Sequence, residues 1–136
     1  MAARPKAVMV HHLRHALLTA RLAKEFGREV TLLSPPDAAG YLGPGWMDAI
    51  ERAIEARVGR PLPGILDCGR RADLALAALR QGTRAILFRG PGPVAAKLAD
   101  IAAQRGATLH RRRPRALDLA GLADAEAALR RYLGPD

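Results

Sequence analysis

Residues 65–88 read ILDCGRRADLALAALRQGTRAILF, and this stretch decides the fold. It begins with an apolar run at 65–68, continues into a helical pattern at 72–80 that stops before Gly82, and closes with a second apolar run at 85–88. Neither apolar run alternates with polar residues, which is typical of parallel strands that are buried on both faces. The stretch therefore predicts a strand, a helix and a second parallel strand joined by a right-handed crossover.

The same alternation extends through the rest of the chain. Strands are predicted at 6–11, 29–33, 65–68, 85–88 and 108–110, and helices at 13–26, 46–58, 72–80, 94–105 and 122–133. We therefore expect one α/β domain over residues 1–136, a three-layer sandwich around a five-stranded, mostly parallel sheet of the flavodoxin-like or half-Rossmann kind. The pattern does not predict the order of the strands.

Composition narrows the class of protein. The 136 residues are 49% hydrophobic and 26% charged, which favours a packed domain and excludes a chain that is disordered throughout. The apolar runs are too short to span a bilayer, so no membrane association is expected. The single cysteine cannot form an internal disulfide, which favours a reducing compartment and predicts a cytoplasmic protein.

The formal net charge of +9 raises the question of an anionic partner. Basic residues are densest at 111–115, where the sequence is RRRPR, and such a cluster is found in nucleic-acid-binding proteins. Two features favour a plainer explanation. Only three of the 22 basic residues are lysine, which is typical of a coding bias toward arginine, and a short charge run is often a solvated loop. Nucleic-acid binding is therefore the alternative hypothesis.

Polar residues gather where the predicted strands end. Ligands of open parallel sheets bind beyond the carboxyl ends of the strands, so these residues are the candidate binding residues. They are Arg70, Arg89, Gly90, Gly92, His11, His12 and Asp67. The alternative is that strand ends are loops, which are polar in every protein.

The chemistry of this set favours an anion. Arginine forks and helix N-termini both bind phosphate and carboxylate groups, so we expect a phosphate- or carboxylate-bearing small molecule. Residues 90–95 match the G-x-G-x-x-A pattern of dinucleotide-binding loops. However, Pro91 and Pro93 each lack the N–H that such a loop uses to hold a pyrophosphate. No cofactor is predicted.

Support for catalysis is weak. Cys68 precedes a predicted helix and lies beside Arg70, which favours a lowered thiol pKa, but a lone cysteine is more often a small buried apolar residue. His11, His12 and His15 have helical spacing suited to a metal, yet histidines at a helix start commonly cap or pack. We predict no catalytic residue and no metal ligand, and leave the role of these residues open.

The link at 34–45 is longer than the other connections. It includes Tyr41, one of few aromatic residues in the chain. Links of this length are often lids or binding loops, although an aromatic residue here also suits a cover for the end of the sheet.

The first predicted helix has apolar residues on two sides. Leu18, Leu22 and Phe26 form a strip opposite the stripe that would pack on the sheet. An exposed strip of this kind favours a homodimer, and a non-catalytic oligomeric scaffold is a further alternative. The other explanation is that the final helix or the 60–64 segment covers the strip within one chain.

Overall fold

The structure is a computed structural model that describes residues 5–135; residues 1–4 and 136 lie outside the described part. The strands are β1 Lys6–Met9, β2 Val30–Leu33, β3 Gly64–Asp67, β4 Ala85–Leu87, β5 Thr108–His110 and β6 Ala116–Asp118. The helices are α1 Leu13–Phe26, α2 Ala38–Tyr41, α3 Trp46–Val58, α4 Ala72–Arg80, α5 Gly92–Gln104 and α6 Ala125–Leu133.

The predicted fold class is confirmed, because the elements form an α/β fold with one parallel sheet flanked by helices. The described part of the chain contains six strands rather than five, since β6 was not predicted, and the predicted link at 34–45 contains the short helix α2. Helices α1, α3 and α4 have the predicted bounds. Between residues 5 and 135, no helix has the length and apolar character that a membrane crossing requires.

The strand order is β5-β4-β3-β2-β1-β6, and every neighbouring pair is parallel. The first three strands lie in the order 3-2-1, as in a half-Rossmann unit. Every step from β1 to β5 moves in the same direction, so right-handed crossovers place the connecting helices on one face of the sheet. Buried side chains from all six helices accordingly share one core cluster with strand residues such as Val8, Leu32 and Ile86.

The opposite face of the sheet, here called the open face, has a smaller cluster of its own. It consists of Leu33, Ile65 and Leu87. The connection at 111–115 passes over this face, where the Arg113 Nη2 lies 3.2 Å from the Ser34 carbonyl oxygen and 3.8 Å from the Met9 sulfur. The connection therefore covers a face of the sheet whose buried cluster contains no residue from a helix.

The length of this connection constrains its shape. It joins β5 at one edge of the sheet to β6 at the other, five strand spacings away, or ~24 Å across a flat sheet. The six Cα steps from His110 to Ala116 reach at most ~22 Å. The connection therefore has little spare length even though it bends at residues 111 and 112, and the twist of the sheet must bring its edges closer together.

The apolar strip on α1 is covered within the chain. Leu22 is only 4% exposed, and Leu18 and Phe26 are half-buried against the core. Helix α1 contacts both α3 and α6, and α6 is fixed to the sheet by the Tyr132 hydroxyl, which donates to the Ala7 carbonyl at 3.0 Å. Most of this strip is therefore covered within one chain, as the second explanation above expects, while Leu18 and Phe26 stay partly exposed. A homodimer through the first helix stays a prediction.

We expect Leu22→Glu to destabilise the monomer itself. A charge placed in this buried site should lower the free energy of unfolding by about 3–5 kcal/mol, measured by urea denaturation. The neighbouring Arg21→Glu, at an exposed position, is the matched control and should unfold near the parent midpoint. A stable monomeric Leu22→Glu released from a parent dimer would instead restore the exposed-strip hypothesis.

Candidate functional site

Asp67 is the centre of the polar residues at the carboxyl ends of the strands. It ends β3 on the open face and is fully buried. The Asp67 N–H donates to the Ser34 hydroxyl at 2.8 Å, and the Gly69 N–H donates to the Asp67 Oδ1 at 2.8 Å. The Arg113 guanidinium donates directly to the Asp67 Oδ2. A buried carboxylate needs such compensation, because leaving it unpaired is costly.

Arg89 joins Asp67 to a second carboxylate. Its Nη2 lies 3.7 Å from the Asp67 Oδ1 and 3.1 Å from the Asp37 Oδ1. Asp37 has a positive φ of 58°, which is uncommon for a residue other than glycine. Its carboxylate occupies the space that a Cβ at position 69 would need, so Gly69 permits this close approach. The two aspartates thus fix the direction of the Arg89 guanidinium.

Two further arginines bind the turn that follows β4. Arg111 donates from Nη1 to the Phe88 carbonyl at 3.0 Å and from Nη2 to the Gly90 carbonyl at 2.8 Å. Arg70 donates from Nη1 to the Arg89 carbonyl at 3.1 Å. The carbonyls of three consecutive residues therefore accept hydrogen bonds from guanidinium groups. We call this turn at 88–90, together with the side chains of Arg70, Arg89 and Arg111, the arginine turn.

The charges around the arginine turn do not cancel. Arg70 and Arg111 make no ion pair in the described part of the chain, whereas Arg89 and Arg113 contact Asp37 and Asp67. Four guanidinium groups and two carboxylates leave a formal excess of two positive charges. Helix α5 begins at Gly92, directly after the turn, and its N-terminus adds partial positive charge.

Tyr41 extends from the short helix α2 beside this site and is 61% exposed. Partial desolvation, together with the nearby Asp37 and Asp67 carboxylates, raises the pKa of Tyr41. Its hydroxyl is therefore protonated at neutral pH and can donate a hydrogen bond. Since Ala38 and Ala39 are buried, α2 is anchored to the core.

The histidines form a separate cluster at the ends of β1 and β6. His11 lies 2.6 Å from the Asp118 carboxylate, and the His12 and His15 rings lie against each other with centroids 3.7 Å apart and planes tilted by 32°. His12 is the N-cap of α1, where its Nδ1 accepts from the His15 N–H. These contacts match the plainer sequence interpretation, in which the histidines cap and pack at a helix start.

The pKa values of two members of the histidine cluster, His15 and Asp118, are shifted. Burial, followed by the charges of His12 and His11, lowers the pKa of His15. Burial alone would raise the pKa of Asp118, but the Ala120 N–H and the His11 contact lower it overall. Within residues 5–135, no three His, Cys, Asp or Glu side chains are placed to share a metal ion.

The structure brings together part of the predicted set. Arg70, Arg89 and Gly90 belong to the arginine turn, Asp67 lies beside it, and Gly92 begins α5 shortly after it. His11 and His12 belong to the histidine cluster instead.

Sequence reasoning missed the roles of Asp37, Arg111 and Arg113. The two arginines lie in the 111–115 cluster, which was considered as a solvated loop or a nucleic-acid contact. The sequence offers no clear signal for these roles, because they depend on where the connection ends, and no pattern marks β6.

Comparisons with known proteins do not assign this chain to a family. No family model matches the sequence, and no curated protein sequence matches it significantly.

Removing the Asp67 carboxylate should destabilise the fold. We expect Asp67→Ala to lower the free energy of unfolding by about 3–5 kcal/mol, because the mostly buried Arg113 loses its counterion. Urea denaturation measures the change. Asp73→Ala is the control, since Asp73 pairs with Arg71 on the surface and its loss should leave stability unchanged. Equal unfolding midpoints for the two variants would contradict this role of Asp67.

The Cys68 thiol should be unreactive in the folded protein. Cys68 is 1% exposed and faces the helix-covered core, and burial, followed by the Asp67 charge, raises its pKa to about 12. The thiolate is the reactive form, so a chromogenic disulfide reagent at pH 8 should label the native protein far more slowly than the urea-unfolded chain. Equal labelling rates would show that the thiol is accessible and ionised.

Proposed function

We propose that the protein binds a small phosphate- or carboxylate-bearing molecule at the arginine turn. The best support is that backbone carbonyls hold the guanidinium groups of two arginines in fixed directions. Arg70 and Arg111 are oriented by hydrogen bonds to the turn, yet these contacts neutralise no charge. An anion that reaches the turn meets oriented cations whose geometry is already set, which lowers the entropic cost of binding.

Donors remain for such a ligand. A guanidinium group has five N–H donors, of which the described contacts use one in Arg70 and two in Arg111. Arg70 and Arg111 are both exposed, so their remaining donors can reach a ligand from solvent.

Asp37 and Asp67 have a positioning role in this proposal. They bind Arg89 and Arg113, and the Gly69 N–H helps to hold the Asp67 carboxylate in place. A carboxylate this close to the site also repels an anion, so the ligand is expected beside Arg70 and Arg111 rather than above Asp67. The proposal is for binding in the cytoplasm and assigns no reaction.

Nucleic acid is less well suited to this arrangement. Arg111 and Arg113, half of the arginines in the 111–115 cluster, are bound to the turn and to Asp67. Half of the cluster therefore already makes contacts within the fold and is less available to a nucleic acid, whereas a compact anion requires only the arginine turn.

Thermal denaturation with inorganic phosphate, pyrophosphate and citrate, each at constant ionic strength, tests the proposal. At a ligand concentration of ~100 Kd, we expect Tm to rise by about 10 °C. Arg70→Gln should weaken the stabilising ligand about tenfold or more, because it removes one exposed charged donor. Arg80→Gln is the matched control, since Arg80 is an exposed arginine at the other end of α4.

Two outcomes would refute the site. One is the absence of stabilisation by any of the three anions, and the other is an equal response of Arg70→Gln and Arg80→Gln. Labelled RNA and duplex DNA should be titrated at low and physiological salt in parallel. Tight binding with a steep salt dependence, in place of small-anion binding, would support the nucleic-acid alternative.

A further inference from the structure

A cavity lies on the open face, beneath the connection at 111–115. Its volume is about 360 Å³, which is within the range of small-molecule sites. The floor includes Ala7 of β1, Thr31 of β2, Ile65 of β3 and Ala85 of β4, so adjacent strands contribute to one surface. None of these residues belongs to the arginine turn.

The cavity results from side-chain size along the open face. Toward the carboxyl ends, Leu33 and Leu87 are fully buried in the cluster near Arg113. Toward the amino ends, alanines at positions 7 and 85 leave space that no side chain fills. Arg112 and Pro114 of the connection also line this space.

The polar groups of the cavity are few. His110 and Arg112 line it together with the Thr31 side chain. Arg112 is exposed and makes no hydrogen bond or ion pair with any other residue in the range 5–135. Burial lowers the pKa of His110, so its ring is neutral at pH 7 and offers one donor and one acceptor.

We infer that this cavity binds a small carboxylic acid with an apolar body, whose carboxylate pairs with Arg112 while the body rests on Ala7, Ile65 and Ala85. An aromatic or branched aliphatic group suits the apolar floor, and the guanidinium fork matches a carboxylate with two parallel hydrogen bonds. This site is separate from the proposed arginine turn, because the two share no residue.

An NMR titration of the amide signals with phenylacetate and 4-methylvalerate tests the inference. We expect shifts concentrated at Thr31, Ala85 and His110. Arg112→Gln should weaken phenylacetate binding about tenfold, whereas Arg115→Gln, at an exposed arginine outside the cavity, should leave it within about twofold. The neutral analogue phenylacetamide should bind the parent protein about as weakly as phenylacetate binds Arg112→Gln.

A second variant tests the apolar floor. Ala85→Leu fills the cavity and should abolish binding, whereas Ala103→Leu on the exposed side of α5 should not. Arg112→Gln decides the question if Ala85→Leu does not fold. The inference is overturned if neither acid shifts the cavity signals at about 10 mM, if phenylacetamide binds as well as phenylacetate, or if Arg112→Gln binds normally. Arg70→Gln should leave this binding intact, so failure here is distinguishable from failure of the arginine turn.

Discussion

The buried contact between Asp67 and Arg113 determines where the chain runs after β5. The Asp67 carboxylate has no exposed surface, and its own strand offers no cation to balance it. Arg113 supplies that charge from the connection that crosses the open face. A pair of this kind adds little net stability relative to an apolar pair, but breaking it is costly. We infer that its main effect is to select one path for the connection.

Once Arg113 is held at Asp67, the surrounding structure follows from chain geometry. The short connection reaches β6 across the open face, and Ala116 pairs there with Ala7. Within the same connection, Arg111 donates to the Phe88 and Gly90 carbonyls. One ion pair therefore links the closing of the sheet edge, the orientation of the arginine turn and the roof of the apolar cavity.

The parts of the fold that the sequence predicted correctly are those controlled by local rules. Helix α1 ends before Gly27 and α3 before Gly59, and both glycines have the left-handed conformation that the stop signal implies. In contrast, β6 has only three residues and follows an arginine run, so no apolar pattern marks it. A strand of this kind is specified by its partner β1 rather than by its own composition.

The same distinction applies to the site. Asp67 and Arg89 were both predicted as binding residues because each lies at the end of a predicted strand, and β3 and β4 are neighbours in the sheet. The position of His11 depends instead on strand order, which no local pattern encodes, and β1 lies next to β6. The coverage of Leu22 likewise depends on where α6 packs. The apolar strip on α1 indicated that another surface covers it, but not which element supplies that surface.

Some of the arginines that give the chain its high net charge stabilise the fold. Arg28 donates to the carbonyls of Leu133 and Gly134 at the end of α6, and Arg105 donates to the Leu79 carbonyl near the end of α4. Guanidinium groups at helix C-termini satisfy carbonyls that have no partner within the helix and offset the helix dipole. A count of arginines therefore overstates the charge that is free to bind a ligand. The arginine turn differs from these helix ends because Arg70 and Arg111 converge with Arg89 on one turn, and its two neighbouring carboxylates are too few to balance the guanidinium groups around them.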